Sequence, residues 1–121
     1  MSITIDCDAV LHELDVTAVQ GIARLSPFGA GNRRPKLRVD DATVSEPPRP
    51  IGDQGKHLEL RFHQDRDGQR RAIRGVWWDG GALAEKLAAG QRLDLVIEPR
   101  LDEWRGQVRV QAVVRDVRVH A

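Results

Sequence analysis

Histidine, cysteine and paired carboxylates are the residues that most often build catalytic or metal sites, and their spacing here argues against one. The four histidines are scattered without the short spacings of metal ligands: His12, His57, His63 and His120. The single cysteine, Cys7, can form neither a disulfide framework nor a cysteine metal cluster within the chain. The neighbouring acids Asp40 and Asp41 fall in a predicted turn, where acidic residues are common. We therefore expect no catalytic residue, no metal site and no cofactor.

Arginine and tryptophan could instead bind single-stranded nucleic acid, which needs cations along a groove and flat groups on which bases stack. Sixteen of the nineteen basic residues are arginines, which offer a planar fork to phosphates and a flat cation to bases. The same excess is equally typical of a GC-rich genome. Trp77 and Trp78 are neighbours in a predicted strand, so one is expected inside and one outside. Trp104 sits in a predicted turn beside Arg105, where it either closes the end of the fold or stacks on a base.

The candidate nucleic-acid-binding residues combine tryptophans with cations at outward strand positions. Arg61 and Arg109 alternate with apolar positions, and Lys56 stands where a strand begins. Arg74 has the parity of Trp78 and is expected at the fringe of the core. Each cation is individually also typical of a solvated surface. The full set is Lys56, Arg61, Arg71, Trp77, Trp104, Arg105 and Arg109.

Charge permits nucleic-acid binding without requiring it. The formal net charge of the chain is +1, and residues 1–24 hold four acids against one arginine, which leaves +4 for residues 25–121. Acidic side chains at three outward strand positions would repel a polyanion from the strands that carry them: Glu59, Asp94 and Glu98.

Length and composition are those of one ordinary globular domain. The chain has 121 residues, of which 40% are hydrophobic and 31% charged. We see no apolar run long enough to span a membrane and no signal peptide, so we expect a cytoplasmic protein. We divide the chain into a strand fragment and linker helix at 1–26 and a barrel domain at 27–121.

The apolar periodicity predicts the elements that position these side chains. A strand is expected at 2–6, followed by a helix that Asp15 or Thr17 caps and that ends before Pro27. Alternation then predicts strands that begin near Leu37, at 56–62 and at 71–78, with a loop at 45–55. A helix at 82–89 with Gly90 as its C-cap precedes two further strands, which a turn at 102–106 joins.

This order is typical of a mainly β chain that forms a five-stranded OB-fold barrel, with a helix between strands three and four. A short strand and a helix precede the barrel. The alternating apolar side chains expected inside it are Leu58, Leu60, Phe62, Leu93, Leu95, Ile97, Val108, Val110 and Ala112.

Residues 25–35, LSPFGAGNRRP, resemble the L-x-P-F-G-x-G-N-x-x-P motif at the junction into the C-terminal OB domain of the RecJ exonucleases. Residues 55–60, GKHLEL, look like the G-K-H-L-K-L strand of that family, and 103–106, EWRG, look like its turn before the last strand. Trp78 stands where the family usually has phenylalanine, which implies that Trp78 is in the core and that Trp77 faces outward.

The resemblance implies a binding module and not a nuclease. RecJ proteins resemble two-domain phosphoesterases that bind manganese through an Asp-His-His motif and digest single-stranded DNA from the 5′ end. This chain has no Asp-His-His. We therefore expect a non-catalytic OB module of a RecJ-like 5′–3′ exonuclease, which holds single-stranded DNA for a nuclease core absent from this chain. Its implied partners are that DNA and the catalytic domains, with no membrane.

One alternative function stays open at this point: an OB-fold protein–protein docking module in a DNA repair complex. The modest charge and the few aromatic residues favour it. The motif at 25–35 also has two readings. Its prolines and glycines build a rigid connection into the barrel, or its cations Arg33, Arg34 and Lys36 contact DNA.

Overall fold

The computed structural model describes residues 6–24 and 35–120, with the side chains of 22–24 left aside. The strands are β1 (Cys7–Asp8), β2 (Leu37–Val44), β3 (Arg49–Ile51), β4 (His57–Arg66), β5 (Gln69–Trp77), β6 (Arg92–Trp104) and β7 (Gln107–Val119). The helix α1 spans Val16–Arg24, and short 3-10 helices span Leu11–Glu13, Asp53–Gly55 and Gly81–Lys86. None of the described helices is long and apolar enough to cross a membrane. The strand expected at 2–6 and the motif at 25–35 fall, apart from Asp6 and Pro35, outside the described residues.

Five strands close into a barrel. β2 pairs antiparallel with β6, β6 with β7, and β4 with both β5 and β2, while β7 lies parallel to β5. The ring therefore runs β2-β6-β7-β5-β4 and returns to β2. This confirms the predicted OB-fold barrel. Its third and fifth strands in chain order are β5 and β7, and their parallel pairing completes the ring. β1 extends the sheet beside β2, and β3 pairs with the beginning of β4.

Alternating apolar side chains fill the barrel, as the sequence predicts. Eight of the nine side chains expected inside are at most 9% exposed. Val108 is the exception, since it is 45% exposed. The β6–β7 hairpin runs on beyond the point where β5 stops pairing with β7, so Val108 lies on a projecting arm and not over the core.

The segment before the barrel packs into the same core. Asp15 caps α1, because the backbone N–H of Ala18 donates to its carboxylate at 2.8 Å. This confirms Asp15 as the predicted cap. Leu11, Leu14 and Val19 are buried with the barrel side chains in one cluster. The segment thus contributes apolar side chains to the barrel core.

Two connections differ from the prediction. The helix between β5 and β6 is a 3-10 helix over Gly81–Lys86 and not a helix at 82–89, because Leu87 takes extended backbone angles and is buried. Gly90, with φ +85°, lies in the turn that follows. The predicted loop at 45–55 contains β3. This is an edge strand of the described sheet, where a proline such as Pro50 is tolerated.

Gly75 tests how tightly the barrel is packed where β5 meets β7. A Cβ atom at Gly75 would lie 2.8 Å from Cε1 of Phe62 and 3.0 Å from Cγ2 of Val114. We predict that Gly75→Ala lowers the free energy of unfolding by about 1–3 kcal/mol, because the core must shift to admit the methyl group. Urea unfolding measures the change.

The matched control is Gly21→Ala in α1, where nothing lies within 4 Å of the added Cβ. It should raise stability by about 0.5–1 kcal/mol through helix propensity. Equal effects of the two substitutions would contradict the packing argument.

Candidate nucleic-acid interface

A groove opens on the outside of the barrel where β5 and β7 separate. The two strands pair only over Arg74–Val76 and Gln111–Val113. From that contact towards its tip, the β6–β7 hairpin is no longer paired with β5. The gap between the hairpin and β5 is a groove of about 670 Å³. Four arginines, one tryptophan and one acid are among its lining residues: Arg61, Arg71, Arg74, Arg109, Trp104 and Asp102.

Trp104 is held at the tip of the β6–β7 hairpin. The two residues of the turn, Arg105 and Gly106, have φ angles of +51° and +76°, the signature of a tight hairpin turn. The indole is 49% exposed. The guanidinium carbons of Arg105 and Arg109 lie 4.4 and 4.6 Å from its ring centroid. Trp104 therefore offers a flat, exposed ring with two cations beside it.

The groove arginines differ in how their charge is used. Arg61 pairs with Glu46 at 2.9 Å, and Arg74 pairs with Glu59 at 2.7 Å. Arg71 instead donates a hydrogen bond to the backbone carbonyl of Leu14. Among the described ion pairs, none joins Arg71, Arg105 or Arg109 to a carboxylate. These three cations form no described ion pair, although Asp102, the register partner of Arg109, also lines the groove.

Glu59 anchors two arginines on the outer face. Its side chain is 8% exposed and accepts hydrogen bonds from Arg49 at 2.9 Å and Arg74 at 2.7 Å. Burial alone would raise the pKa of Glu59, but the hydrogen bond and charge of Arg74, with the charges of Arg49 and Arg61, hold that pKa below its ordinary value. The carboxylate is thus compensated by arginines, which weakens the repulsion expected from it.

A second, smaller cleft continues the groove along the outside of β4. It measures about 270 Å³ and is lined by Glu46, Pro47, Arg49, Glu59 and Arg61. Arg61 lines both depressions. The two depressions therefore adjoin at Arg61.

Four of the seven predicted binding residues meet in the groove: Arg61, Arg71, Trp104 and Arg109. Arg105 joins them through its contact with Trp104. Lys56 lies outside both depressions and pairs with Asp79 at 3.4 Å.

The expected orientation of the paired tryptophans is wrong. Trp77 is partly buried against the core, and Trp78 is 53% exposed. Trp77 is the register partner of Leu58, and partners in antiparallel strands share a face. Trp78 follows the last residue of β5, in a turn. Trp78 stands where the family usually has phenylalanine, but that correspondence did not predict which face of the strand Trp78 occupies in this chain.

Arg74 and Gln111 are groove residues that sequence reasoning missed. Arg74 was expected at the fringe of the core because it is four residues from Trp78 in the same predicted strand, and Trp78 was expected to be buried. Its register partner is Arg61, which faces outward, so Arg74 faces outward as well. Gln111 of β7 is the register partner of Arg74, and its side-chain carbonyl accepts a hydrogen bond from Arg74 at 2.9 Å. The strand register would have identified both residues.

The sequence matches a known protein family. A family model described as the RecJ OB domain matches residues 5–116. The single-stranded-DNA-specific exonuclease RecJ of Bacillus subtilis is 26% identical over 115 residues. That alignment covers 95% of this chain and 14% of the length of the Bacillus protein.

Solved structures share the fold. RecJ of Thermus thermophilus, in complex with Mn²⁺, matches with a TM-score of 0.51 and 21% identity, over 84% of this chain and 14% of that one. Rim1, a mitochondrial single-stranded DNA binding protein of S. cerevisiae, matches with 0.58 and 10% identity, over 72% and 95%. The Plasmodium falciparum SSB complex with ssDNA matches with 0.58 and 15% identity, over 71% and 94%. At these identities the matches show the OB fold.

The described residues do not fit a metal ion such as Mn²⁺. Within 6–24 and 35–120, no three His, Cys, Asp or Glu side chains converge in a way that could hold one. Two of the histidines make pairwise hydrogen bonds instead, His63 with the hydroxyl of Ser45 and His120 with the carboxylate of Asp94, each at 2.6 Å.

The depressed pKa of Glu59 predicts acid sensitivity. Its folded pKa lies below the ordinary value of 4.5, so its contribution to stability is full above that pH and is lost as the pH falls through the folded pKa. We predict that Glu59→Gln lowers the free energy of unfolding at neutral pH by about 1–2 kcal/mol, because Arg74 loses a charged acceptor.

The same substitution should flatten the loss of stability between about pH 5 and pH 3, measured by urea unfolding across that range. Glu103→Gln is the control, since Glu103 is exposed and no described ion pair involves it. If both variants kept the wild-type pH profile, the anchoring role of Glu59 would be wrong.

Proposed function

This chain belongs to the RecJ OB domain family, and we propose that it is the single-stranded DNA-binding module of a RecJ-like 5′–3′ exonuclease. The observation that carries the proposal is the groove between β5 and the β6–β7 hairpin. It joins the exposed Trp104 to Arg71, Arg105 and Arg109, none of which takes part in a described ion pair, while Asp102 is the acid that lines the groove. The surface of the second and third barrel strands and the loop between the last two strands is where OB folds commonly bind oligonucleotides.

The side chains divide into two roles. Trp104 stacks on an unpaired base, a contact that tolerates any sequence because every base has a flat face. Arg71, Arg105 and Arg109 contact phosphates, which positions the strand without reading its sequence. A base paired within a duplex cannot present its face to Trp104, so the groove favours single strands over duplex.

The module is proposed to act within a longer protein. This chain spans 14% of the length of the Bacillus RecJ that it matches. Its proposed partners are therefore single-stranded DNA and the catalytic domains of a RecJ-like nuclease, for which it holds the substrate in the cytoplasm. The module itself is proposed to be non-catalytic.

Binding to single-stranded DNA tests the stacking role of Trp104. We predict that Trp104→Ala weakens binding of an oligothymidylate about 5- to 160-fold at every salt concentration, because stacking is worth about 1–3 kcal/mol per base. Trp104→Phe keeps a flat ring and should retain most of the affinity. Fluorescence anisotropy with a labelled strand measures each dissociation constant.

Two arginine variants separate local contacts from net charge in the same assay. Arg109→Ala should reduce the salt dependence, since one phosphate contact is lost. Arg118→Ala removes the same charge from a side chain that is 84% exposed and pairs with Asp94, outside the groove, and should change binding little. If wild-type protein bound no single strand at low salt, protein docking would replace DNA binding as the proposed function.

The non-catalytic role has its own test. We predict no degradation of single-stranded DNA by this chain with Mn²⁺ or Mg²⁺, because the sequence has no Asp-His-His motif. Incubation of a 5′-labelled strand with repurified protein, followed by denaturing electrophoresis, measures it. Cleavage that co-purifies with the folded protein through successive columns would contradict the proposal.

A further inference from the structure

Trp78 is an exposed aromatic residue that the groove does not use. It lies in the turn after β5, and 53% of its surface is exposed. Its ring and the ring of His57 pack edge to face, at a centroid distance of 4.8 Å and an interplanar angle of 83°. An indole this exposed, beside the beginning of β4, has surface available to a ligand.

The turn that carries Trp78 is fixed to the barrel. The backbone N–H of Gly80 donates to the carbonyl of Trp77 at 3.1 Å, and that of Gly81 donates to the carbonyl of Lys56 at 2.9 Å. A Cβ atom at Gly81 would lie 1.8 Å from the carbonyl oxygen of Gly55, so the two backbones are in direct contact. The backbone N–H of Asp79 also donates to Nδ1 of His57 at 2.9 Å. Trp78 is therefore held in place before any ligand arrives.

Trp78 lies on the same outer face as the groove. His57, Glu59 and Arg61 alternate with buried Leu58 and Leu60 along β4, so all three point out of the barrel. Trp78 contacts His57, the first of them. The smaller cleft is lined by the next two outward residues of β4, Glu59 and Arg61, together with Arg49.

The charge along this face is nearly balanced. Arg61 and Arg74 are register partners, and Arg49 lies opposite Glu59, two residues further along β4. The cations Arg49, Arg61 and Arg74 pair with the acids Glu46 and Glu59, which leaves one unmatched positive charge. Arg49 is 71% exposed at its side chain, so it keeps free donors for a ligand. At the far end Lys56 is exposed beside Asp79, with which it pairs.

The strand register gives the span. Arg74 lies beside Gln111, which is four residues along β7 from Gln107, the partner of Trp104. Trp78 is four residues from Arg74 in the opposite direction. At about 3.3 Å per residue, the backbone path along the strands between the two tryptophan positions is about 26 Å.

We propose that Trp78 is a second base-stacking contact, and that one single strand of nucleic acid crosses the outer face of β4 and β5 from Trp104 to Trp78. The proposal rests on the proposed function. Arg49 contacts a phosphate between the two rings, and each ring holds a base at one end. Two linked contacts reinforce each other only in a strand long enough to reach both. The distance between the rings thus sets the minimal site size.

The test compares two lengths of oligothymidylate on the whole chain by fluorescence anisotropy. One has about 12 nucleotides, within the range of site sizes known for OB folds, and the other has about 3, below that range. Trp78→Ala should weaken binding of the longer strand about 5- to 160-fold and leave binding of the shorter strand, which lies in the groove, unchanged. Trp78→Phe keeps a flat ring and should retain most of the wild-type affinity for the longer strand. Trp104→Ala should weaken both lengths.

The outcomes separate this inference from the proposed function. Because Trp78 is outside the core cluster, urea unfolding should show that its variants keep the wild-type stability. If Trp104→Ala weakens binding but Trp78→Ala leaves the longer strand unaffected, the second contact is wrong and the groove stands. An equal loss for both lengths on Trp78→Ala would also overturn it. If wild-type protein binds neither strand, the proposed function itself fails.

Discussion

The short parallel contact between β5 and β7 is the constraint on which the rest of the structure depends. Closing five strands into a ring requires these two to pair, and they do so over only three residues each. At the centre of that contact Gly75 has no side chain, and Phe62 and Val114 fill the space. Longer pairing would hold the β6–β7 hairpin against β5. Because the contact is short, the hairpin projects as an arm, and the gap beneath it becomes the groove.

Buried carboxylates then decide which arginines are structural. Glu59 anchors Arg49 and Arg74, and Glu98, 6% exposed, lies 3.5–3.7 Å from the cationic groups of Lys36, Arg100 and Arg115. Such pairs fix the direction of long side chains, because removing one partner would leave an uncompensated buried charge. The arginines on the hairpin arm have no described carboxylate partner. A formal net charge of +1 thus conceals a local division between anchored and available cations.

Strand alternation was enough to predict the barrel and much of its core, because inward side chains repeat every second residue. Turn chemistry also placed the β6–β7 hairpin, and with it Trp104 and Arg105. What the sequence could not supply was register. The pairing of Trp77 with Leu58 puts Trp77 inside, and the pairing of Arg74 with Arg61 puts Arg74 in the groove. Val108 was misplaced for a related reason, since alternation does not show where a strand leaves the barrel.

The two guanidinium groups beside Trp104 bear on how so weakly charged a domain would bind DNA under the proposed function. Each cation–π contact at an exposed site is worth about 0.5–1 kcal/mol. Under the proposed function, a base that stacks where a guanidinium lies would displace that guanidinium and gain about 1–3 kcal/mol by stacking. The displaced arginine would stay on the same hairpin, where it can contact the phosphate of the incoming nucleotide. On these values the exchange is favourable, and without DNA Trp104 keeps both arginines close to the groove.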